Sequence, residues 1–93
     1  MASVHAVDIT PDAAHVGVER FCGFSIRDDS AAACVIQFRA GTVGGQVLAF
    51  VALASGESKI EKWDADHYLE APGGVFVNEV SGSIEGVLYS ADF

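Results

Sequence analysis

Apolar and polar side chains alternate along much of this 93-residue sequence, and a period of two favours β-strands over helices. The alternation is clearest at residues 20–27 and 34–39, which predicts two half-buried strands. Their apolar faces carry Cys22, Phe24 and Ile26 in the first strand and Cys34, Ile36 and Phe38 in the second. The residues between them, 28–33, begin with Asp-Asp-Ser, which favours a turn. The two strands are therefore predicted to form a hairpin.

Two further predicted strands differ in their pattern. Residues 47–54 are apolar on both faces, which predicts a central strand covered on both sides. In residues 57–63, which predict a strand, Lys59 and Glu61 are expected to face water, while Ser58 and Ile60 are expected to face inward. Glycines between these segments predict loops.

Residues 75–80 and 84–89 are predicted to form a second hairpin around Ser81–Ser83. The pattern leaves its register open. A two-residue loop places Phe76 opposite Val87, whereas a three-residue loop with a bulge places Phe76 opposite Leu88. Either register leaves large apolar side chains on both faces of the hairpin.

Residues 1–19 are less regular. Residues 4–9 alternate weakly and predict one more strand, and Thr10-Pro11-Asp12 predicts a turn. Together the segments predict an all-β fold, a small antiparallel β-sandwich or barrel of about 7–8 strands. A length of 93 residues corresponds to a single domain that spans residues 1–93.

Composition and charge exclude several classes of protein. Hydrophobic residues make up 51% of the chain and charged residues 19%, which excludes intrinsic disorder for most of the chain. The net charge of −8 leaves no basic surface for nucleic acid. The longest apolar run, residues 47–54, is too short to span a membrane. The N-terminus shows no signal peptide, so we expect synthesis in a cytoplasm.

The side chains that carry chemistry do not form a recognised catalytic or metal-binding motif. The two cysteines are too few for a disulfide scaffold and are expected to be free thiols in the core. No nucleophile elbow, zinc-ligand spacing or phosphate-binding loop is present. The densest group of possible ligands is interpreted as a solvated loop; it consists of Asp64, Asp66, His67 and Glu70. We therefore expect no cofactor and no enzymatic activity.

More apolar side chains occupy predicted wet faces than one small core can hold. Exposed apolar area of that kind usually marks an interface, and aromatic residues are common anchors. The candidate interface residues are Trp63, Phe76, Val87, Tyr89 and Phe93. They predict association with other protein chains, including copies of this one.

Three segments resemble small virion proteins of tailed phages, especially phages of actinobacterial hosts. They read VIQFRAG at 35–41, VLAFVALASGES at 47–58 and GGVFVNEVSGSIEG at 73–86. The resemblance extends over residues 20–90. It implies a non-enzymatic β-sandwich that belongs to the phage particle, and it implies no catalytic residues.

The resemblance is compatible with more than one position of this protein in the phage particle. The first is a capsid decoration (cement) protein that docks on the outer shell, with the major capsid protein as its partner. The second is a tail, connector or fibre-associated protein. An unrelated carbohydrate-binding module or small enzyme is a third alternative. The acidic charge favours an outer surface of the particle over contact with packaged DNA. The expected location is thus the virion, after synthesis in the host cytoplasm.

Overall fold

The computed structural model describes residues 3–92, and nearly all of its regular structure is β-strand. One short 3-10 helix, Ala65–His67, interrupts the strands. The strands are β1 (Ser3–Asp8), β2 (Ala14–His15), β3 (Arg20–Asp28), β4 (Cys34–Ala40), β5 (Val47–Leu53), β6 (Ser58–Lys62), β7 (Leu69–Glu70), β8 (Val75–Ser81) and β9 (Ile84–Asp92).

These strands form two antiparallel sheets that pack face to face. In sheet A the order is β1-β9-β3-β6, and β7 pairs with the beginning of β3. In sheet B the order is β2-β8-β4-β5. The predicted small antiparallel β-sandwich is confirmed. The described residues form nine strands, somewhat more than expected, because β2 and β7 have only two residues each.

Three phenylalanines occupy the centre of the core. Phe21 and Phe24 lie on β3 and Phe38 lies on β4, and each is at most 1% exposed. The ring centroids of Phe24 and Phe38 are 4.8 Å apart, and those of Phe21 and Phe38 are 5.5 Å apart. Because β3 and β4 belong to different sheets, these contacts hold the two sheets together. Each buried ring contributes about 1.5–3 kcal/mol relative to an exposed one.

A bulge in β3 brings Phe21 into this core, although the sequence pattern places it on a wet face. The pairing of β3 with β9 shifts between Phe21 and Gly23, so Cys22 is the extra residue. Since a bulge interrupts the alternation, Phe21 and Phe24 face the same side. Cys22 is buried as predicted, but it lies outside the core cluster that contains Phe24.

Both predicted hairpins are wrong, because each loop leads from one sheet to the other. β3 pairs with β6, β7 and β9, whereas β4 pairs with β5 and β8. The strands β8 and β9 likewise lie in different sheets. Phe76 pairs with Ala14 and Arg39, and not with Val87 or Leu88.

The two crossing loops lie side by side at one end of the sandwich. Gly82 has φ +69°, and a Cβ built on it would come within 2.6 Å of the Cβ of Cys34. The backbone N–H of Asp29 donates to the carbonyl of Ser83 at 3.2 Å, and the Ser83 hydroxyl donates to the Asp29 carboxylate. These contacts between the loops replace the strand pairing that a hairpin would have.

Strand β5 is the edge of sheet B and not a central strand; among the described strands, it pairs with β4 alone. Val51 and Leu53 face the core, at 2% and 3% exposed, but Phe50 on the opposite face is 59% exposed. The prediction of cover on both sides is wrong because the outer face of this apolar strand is left uncovered.

Strand β6 is the edge of sheet A, and all five of its residues are exposed. Ile60 was predicted to face the core, yet it is 68% exposed. It pairs with Ser25 of β3, which places it on the outer face of the sheet. None of the five residues of β6 belongs to the core cluster.

Candidate docking site

The predicted interface residues do not form one patch. Trp63 is half-buried and packs edge-on against a core phenylalanine, with 5.7 Å between the ring centroids. Phe76 lies on the outer face of sheet B, because its neighbours along β8 face the core. Val87 and Tyr89 lie on the outer face of sheet A, on either side of the buried Leu88. Phe93 lies outside the described residues.

Val87 forms one wall of a trough on the outer face of sheet A. The register places Val87 beside Ser25, and Ser25 beside Ile60. The small serine on the central strand β3 therefore lies between two larger apolar side chains on β9 and β6. The resulting trough has a volume of about 490 Å³. Its lining residues are Asp8, Ser25, Ile26, Arg27, Ser58, Ile60, Glu85, Gly86 and Val87.

The same pattern of large, small and large residues continues beyond one end of the trough. There the register places Tyr89 beside Gly23, and Gly23 beside Lys62. The Nζ atom of Lys62 lies 5.0 Å from the centroid of the Tyr89 ring, a cation–π contact that spans the glycine. Tyr89, which the sequence predicts as an anchor, thus borders the trough with its ring held by a lysine.

Charged side chains border the other end of the trough. Arg27 Nη1 lies 3.8 Å from Glu85 Oε1, and both side chains are more than half exposed. An exposed ion pair of this kind contributes about 0–1 kcal/mol to stability. Asp8 is a further carboxylate of the lining. The trough therefore combines apolar walls with a rim of both charges, an arrangement typical of protein interfaces.

The sequence prediction missed Ile60 and Ser25 as members of this site. Ile60 is the single large apolar residue of a charged strand, so its pattern resembles that of a core position. Only the pairing of β6 with the centre of β3 shows that it faces outward. One signal in the sequence was available: small residues, Gly23 and Ser25, alternate on one face of β3 between apolar neighbours.

The buried histidine and the two buried cysteines have the following surroundings. Thr10 N–H donates to His15 Nε2 at 2.9 Å, and His15 Nδ1 lies 3.0 Å from the carbonyl oxygen of Val75, so backbone groups occupy both ring nitrogens. Burial raises the pKa of the Cys22 and Cys34 thiols. Nearby carboxylates raise both pKa values further, so neither cysteine is activated as a thiolate.

The acidic loop at residues 64–67 is mostly exposed and holds one loose contact between a histidine and an aspartate. His67 Nδ1 lies 3.9 Å from Asp64 Oδ2. Within residues 3–92, no three side chains of histidine, cysteine, aspartate or glutamate come together as metal ligands. In the same part of the chain, no helix has the length and apolar composition needed to cross a membrane.

A second hollow, of about 280 Å³, lies at the beginning of β3. Its lining residues are Glu19, Arg20, Tyr68, Glu70, Ala71 and Pro72. The Arg20 guanidinium carbon lies 5.7 Å from the centroid of the Tyr68 ring, and two carboxylates complete the polar rim. This hollow is smaller and more polar than the trough, so the trough offers the better apolar docking surface.

Comparisons with protein-family models, with curated proteins and with solved structures find no match to this chain.

Proposed function

We propose that this chain is a non-enzymatic docking protein of a phage particle, a decoration protein on the outer shell, and that the trough of sheet A is its docking surface. The observation that carries the docking proposal is the exposure of Ile60. A large apolar side chain that is 68% exposed lies directly across a small serine from a second apolar side chain. The proposal of a phage particle is supported by the resemblance of residues 35–86 to small virion proteins.

The shape of the trough favours one kind of partner surface. Its floor is low at Ser25, so an apolar side chain from a partner can enter between Ile60 and Val87. The removal of such apolar area from water favours association by about 25 cal/mol per Å². The partner should therefore project an apolar group toward this face.

The net charge of the chain also favours binding to a different protein. At a net charge of −8, free copies repel one another at long range, whereas a neutral surface does not repel them and a basic surface attracts them. The rim residues Arg27, Glu85 and Asp8 can orient that partner around the apolar contact. Repulsion between free copies and a rim that orients a different partner are the properties expected of a protein that stays monomeric until it binds a capsid shell.

The experiment compares two exposed apolar residues in cells that carry this gene. Ile60→Glu introduces a charge into the trough, whereas Val16→Glu introduces the same charge at a turn residue that is 70% exposed and outside the trough. Particles are purified by density, and the amount of the chain in them is measured by quantitative mass spectrometry. We expect Ile60→Glu to lower the amount in particles at least tenfold, and Val16→Glu to leave it unchanged.

The same measurement separates the positions within the particle. A decoration protein is present in many symmetry-related copies, whereas a connector protein forms a single ring. Equal incorporation of both variants would contradict the trough as the docking surface. Absence of the wild-type chain from every particle would contradict the virion proposal itself.

A further inference from the structure

We propose that the outer face of sheet B is a second docking surface, and that it binds a segment of a partner protein in which an aspartate or glutamate lies between apolar residues. Arg39, at the centre of this face, receives the carboxylate. This face lies on the opposite side of the sandwich from the trough on sheet A, so the inference does not depend on the trough.

Two adjacent rows of side chains make up this face, and each row has one residue from β5, one from β4 and one from β8. The rows are Val47, Arg39 and Phe76, and Phe50, Gln37 and Asn78. The pairing of β5 with β4 shifts at Leu48, and this bulge brings Val47 into the outer row. Val47 and Phe50 are 41% and 59% exposed, so the β5 side of this face leaves apolar area in water.

Neutral oxygen atoms hold the Arg39 side chain in place on this face. Its Nε and Nη2 atoms donate to Gln37 Oε1 at 2.9 and 2.6 Å, and its Nη1 atom donates to the carbonyl oxygen of Gly45 at 2.8 Å. A guanidinium has five N–H donors, so two remain, one on each Nη atom. A single carboxylate can accept two such N–H groups as a bidentate pair.

No carboxylate of the described chain balances the charge of Arg39. Within residues 3–92, its guanidinium forms no ion pair. The side chain is half-buried, and a half-buried charge loses part of its hydration. The neutral acceptors replace hydrogen bonds to water, but they supply no opposite charge. A carboxylate from a partner would supply it.

The outer face of sheet B differs in charge from the rest of this acidic chain. Its two rows contain no aspartate or glutamate, although the chain has 13 of them. Glu79 of β8 pairs with the buried Ile36, and its carboxylate accepts a hydrogen bond from the N–H of Ile84 in the other sheet at 2.8 Å. The lysines and arginines other than Arg39 all lie on β3 and β6 of sheet A. At contact distance, a carboxylate therefore meets one cation and no carboxylate in these rows.

The number of charges identifies the kind of partner. A nucleic acid presents a series of phosphates and needs several cations, whereas this face offers one. A second copy carries the same net charge of −8 and would be repelled. One arginine in a row between Val47 and Phe76 matches one carboxylate that has apolar neighbours on either side. The occupant is therefore a different protein that presents an apolar, acidic, apolar segment.

The first experiment titrates the isotope-labelled full chain with a blocked pentapeptide, Gly-Leu-Asp-Leu-Gly, and with its matched control, Gly-Leu-Asn-Leu-Gly, and records amide shifts by NMR. So short a peptide should bind in the millimolar range. The aspartate peptide should bind about tenfold more tightly than the control, because hydrogen bonds between charged groups are the stronger ones. Added salt should reduce this preference. The shifts should lie at Arg39, Phe50 and Phe76, and not at the trough residues Ser25 and Ile60.

The second experiment repeats the titration with two variants that each remove one positive charge. Arg39→Gln should bind both peptides equally. Lys59→Gln changes an exposed residue outside both docking surfaces and should keep the preference of the wild type. The dispersion of the amide spectrum shows whether Arg39→Gln is folded. Where it is not, the two peptides and the map of shifts on the wild-type chain still decide the matter.

Four results would overturn the proposal. They are no binding or equal binding of the two peptides by the wild-type chain, a preference that survives in Arg39→Gln, loss of the preference in Lys59→Gln, and shifts confined to the trough. Concentration-dependent shifts of the same residues without peptide would assign this face to a second copy and would contradict the proposal as well.

Discussion

Phe38 links the two sheets at the centre of the core. It is fully buried, and it meets Phe21 and Phe24 of the opposite sheet. We expect Phe38→Ala to lower the free energy of unfolding by about 3–5 kcal/mol, because it removes transfer free energy and leaves a cavity. The exposed control, Lys59→Ala, should change it by at most about 0.5 kcal/mol. Urea unfolding measures both, and equal midpoints would show that Phe38 is not a core residue.

Asp28 is a buried carboxylate that holds two loops together. It accepts hydrogen bonds from the N–H and hydroxyl of Ser30, at 2.9 and 2.6 Å, and from the N–H of Gly56 at 3.1 Å. The Ser30 hydroxyl is the largest cause of a lowered Asp28 pKa. The charged carboxylate therefore stabilises the fold above its unfolded pKa of about 3.9, and this contribution is lost as the pH falls through the lower folded pKa.

The pH dependence of Asp28→Asn tests this role. The variant should be less stable than the wild type at neutral pH. The difference should shrink as the pH falls below about 4, because the Asp28 carboxyl of the unfolded chain takes up a proton there while the folded carboxyl, with its lower pKa, is still charged. Asp66→Asn, at an exposed position, is the matched control and should show no such difference. Unfolding midpoints in urea from pH 7 to pH 3 measure both. A gap between Asp28→Asn and the wild type that stays constant with pH would contradict the assignment.

At the scale of the elements, β9 depends on a glycine where it passes β3. Gly86 has φ +144°, and a Cβ there would come within 2.0 Å of the carbonyl oxygen of Ser25. Gly86→Ala should therefore force the two strands apart, with a backbone cost of about 1–3 kcal/mol before any loss of pairing. Gly17→Ala is the control, since nothing lies within 4 Å of its Cβ position. Thermal unfolding of the two variants measures the difference, and a Gly86→Ala variant as stable as Gly17→Ala would contradict the close approach.

The strands themselves could be predicted from the sequence, but their pairing could not. Alternation of apolar side chains in β4 identifies its inner face because that property is local. A short polar loop with a glycine, such as residues 81–83, closes a hairpin in some proteins and crosses between sheets in others. Here the loop crosses between the sheets, and Gly82 lies close to Cys34, a residue far from it in the sequence.

At the scale of the whole molecule, the candidate site could likewise be predicted only in part from the sequence. Val87 and Tyr89 could be predicted as apolar residues on the surface. They lie on either side of Leu88 in an apolar strand, so when Leu88 faces the core, they face outward. The trough also needs Ser25 from β3 and Ile60 from β6, and these three strands become neighbours only in the folded sheet. The apolar surplus of the chain was thus visible in its composition, while the shape of the docking surface was not.

The reactivity of the two free thiols can distinguish local from global unfolding of the molecule. Both are buried, but Cys34 lies in the core cluster, whereas Cys22 lies outside it with its Sγ 3.5 Å from the carbonyl oxygen of Asp64. The cover over Cys22 includes Asp64, the first residue of the mostly exposed segment 64–67, and we expect this segment to open without unfolding of the sandwich. Exposure of Cys34 requires the sheets to separate, and such global opening is rarer than local opening.

We therefore expect iodoacetamide to modify Cys22 first under native conditions, at a rate that urea below the unfolding transition changes little. Modification of Cys34 should be slower and should accelerate steeply with urea. Peptide mass spectrometry after timed quenching measures both rates, and the Cys34→Ala and Cys22→Ala variants identify each signal. Equal rates for the two thiols at all urea concentrations would mean that Cys22 is released only by global unfolding, and that the segment over it is an integral part of the sandwich.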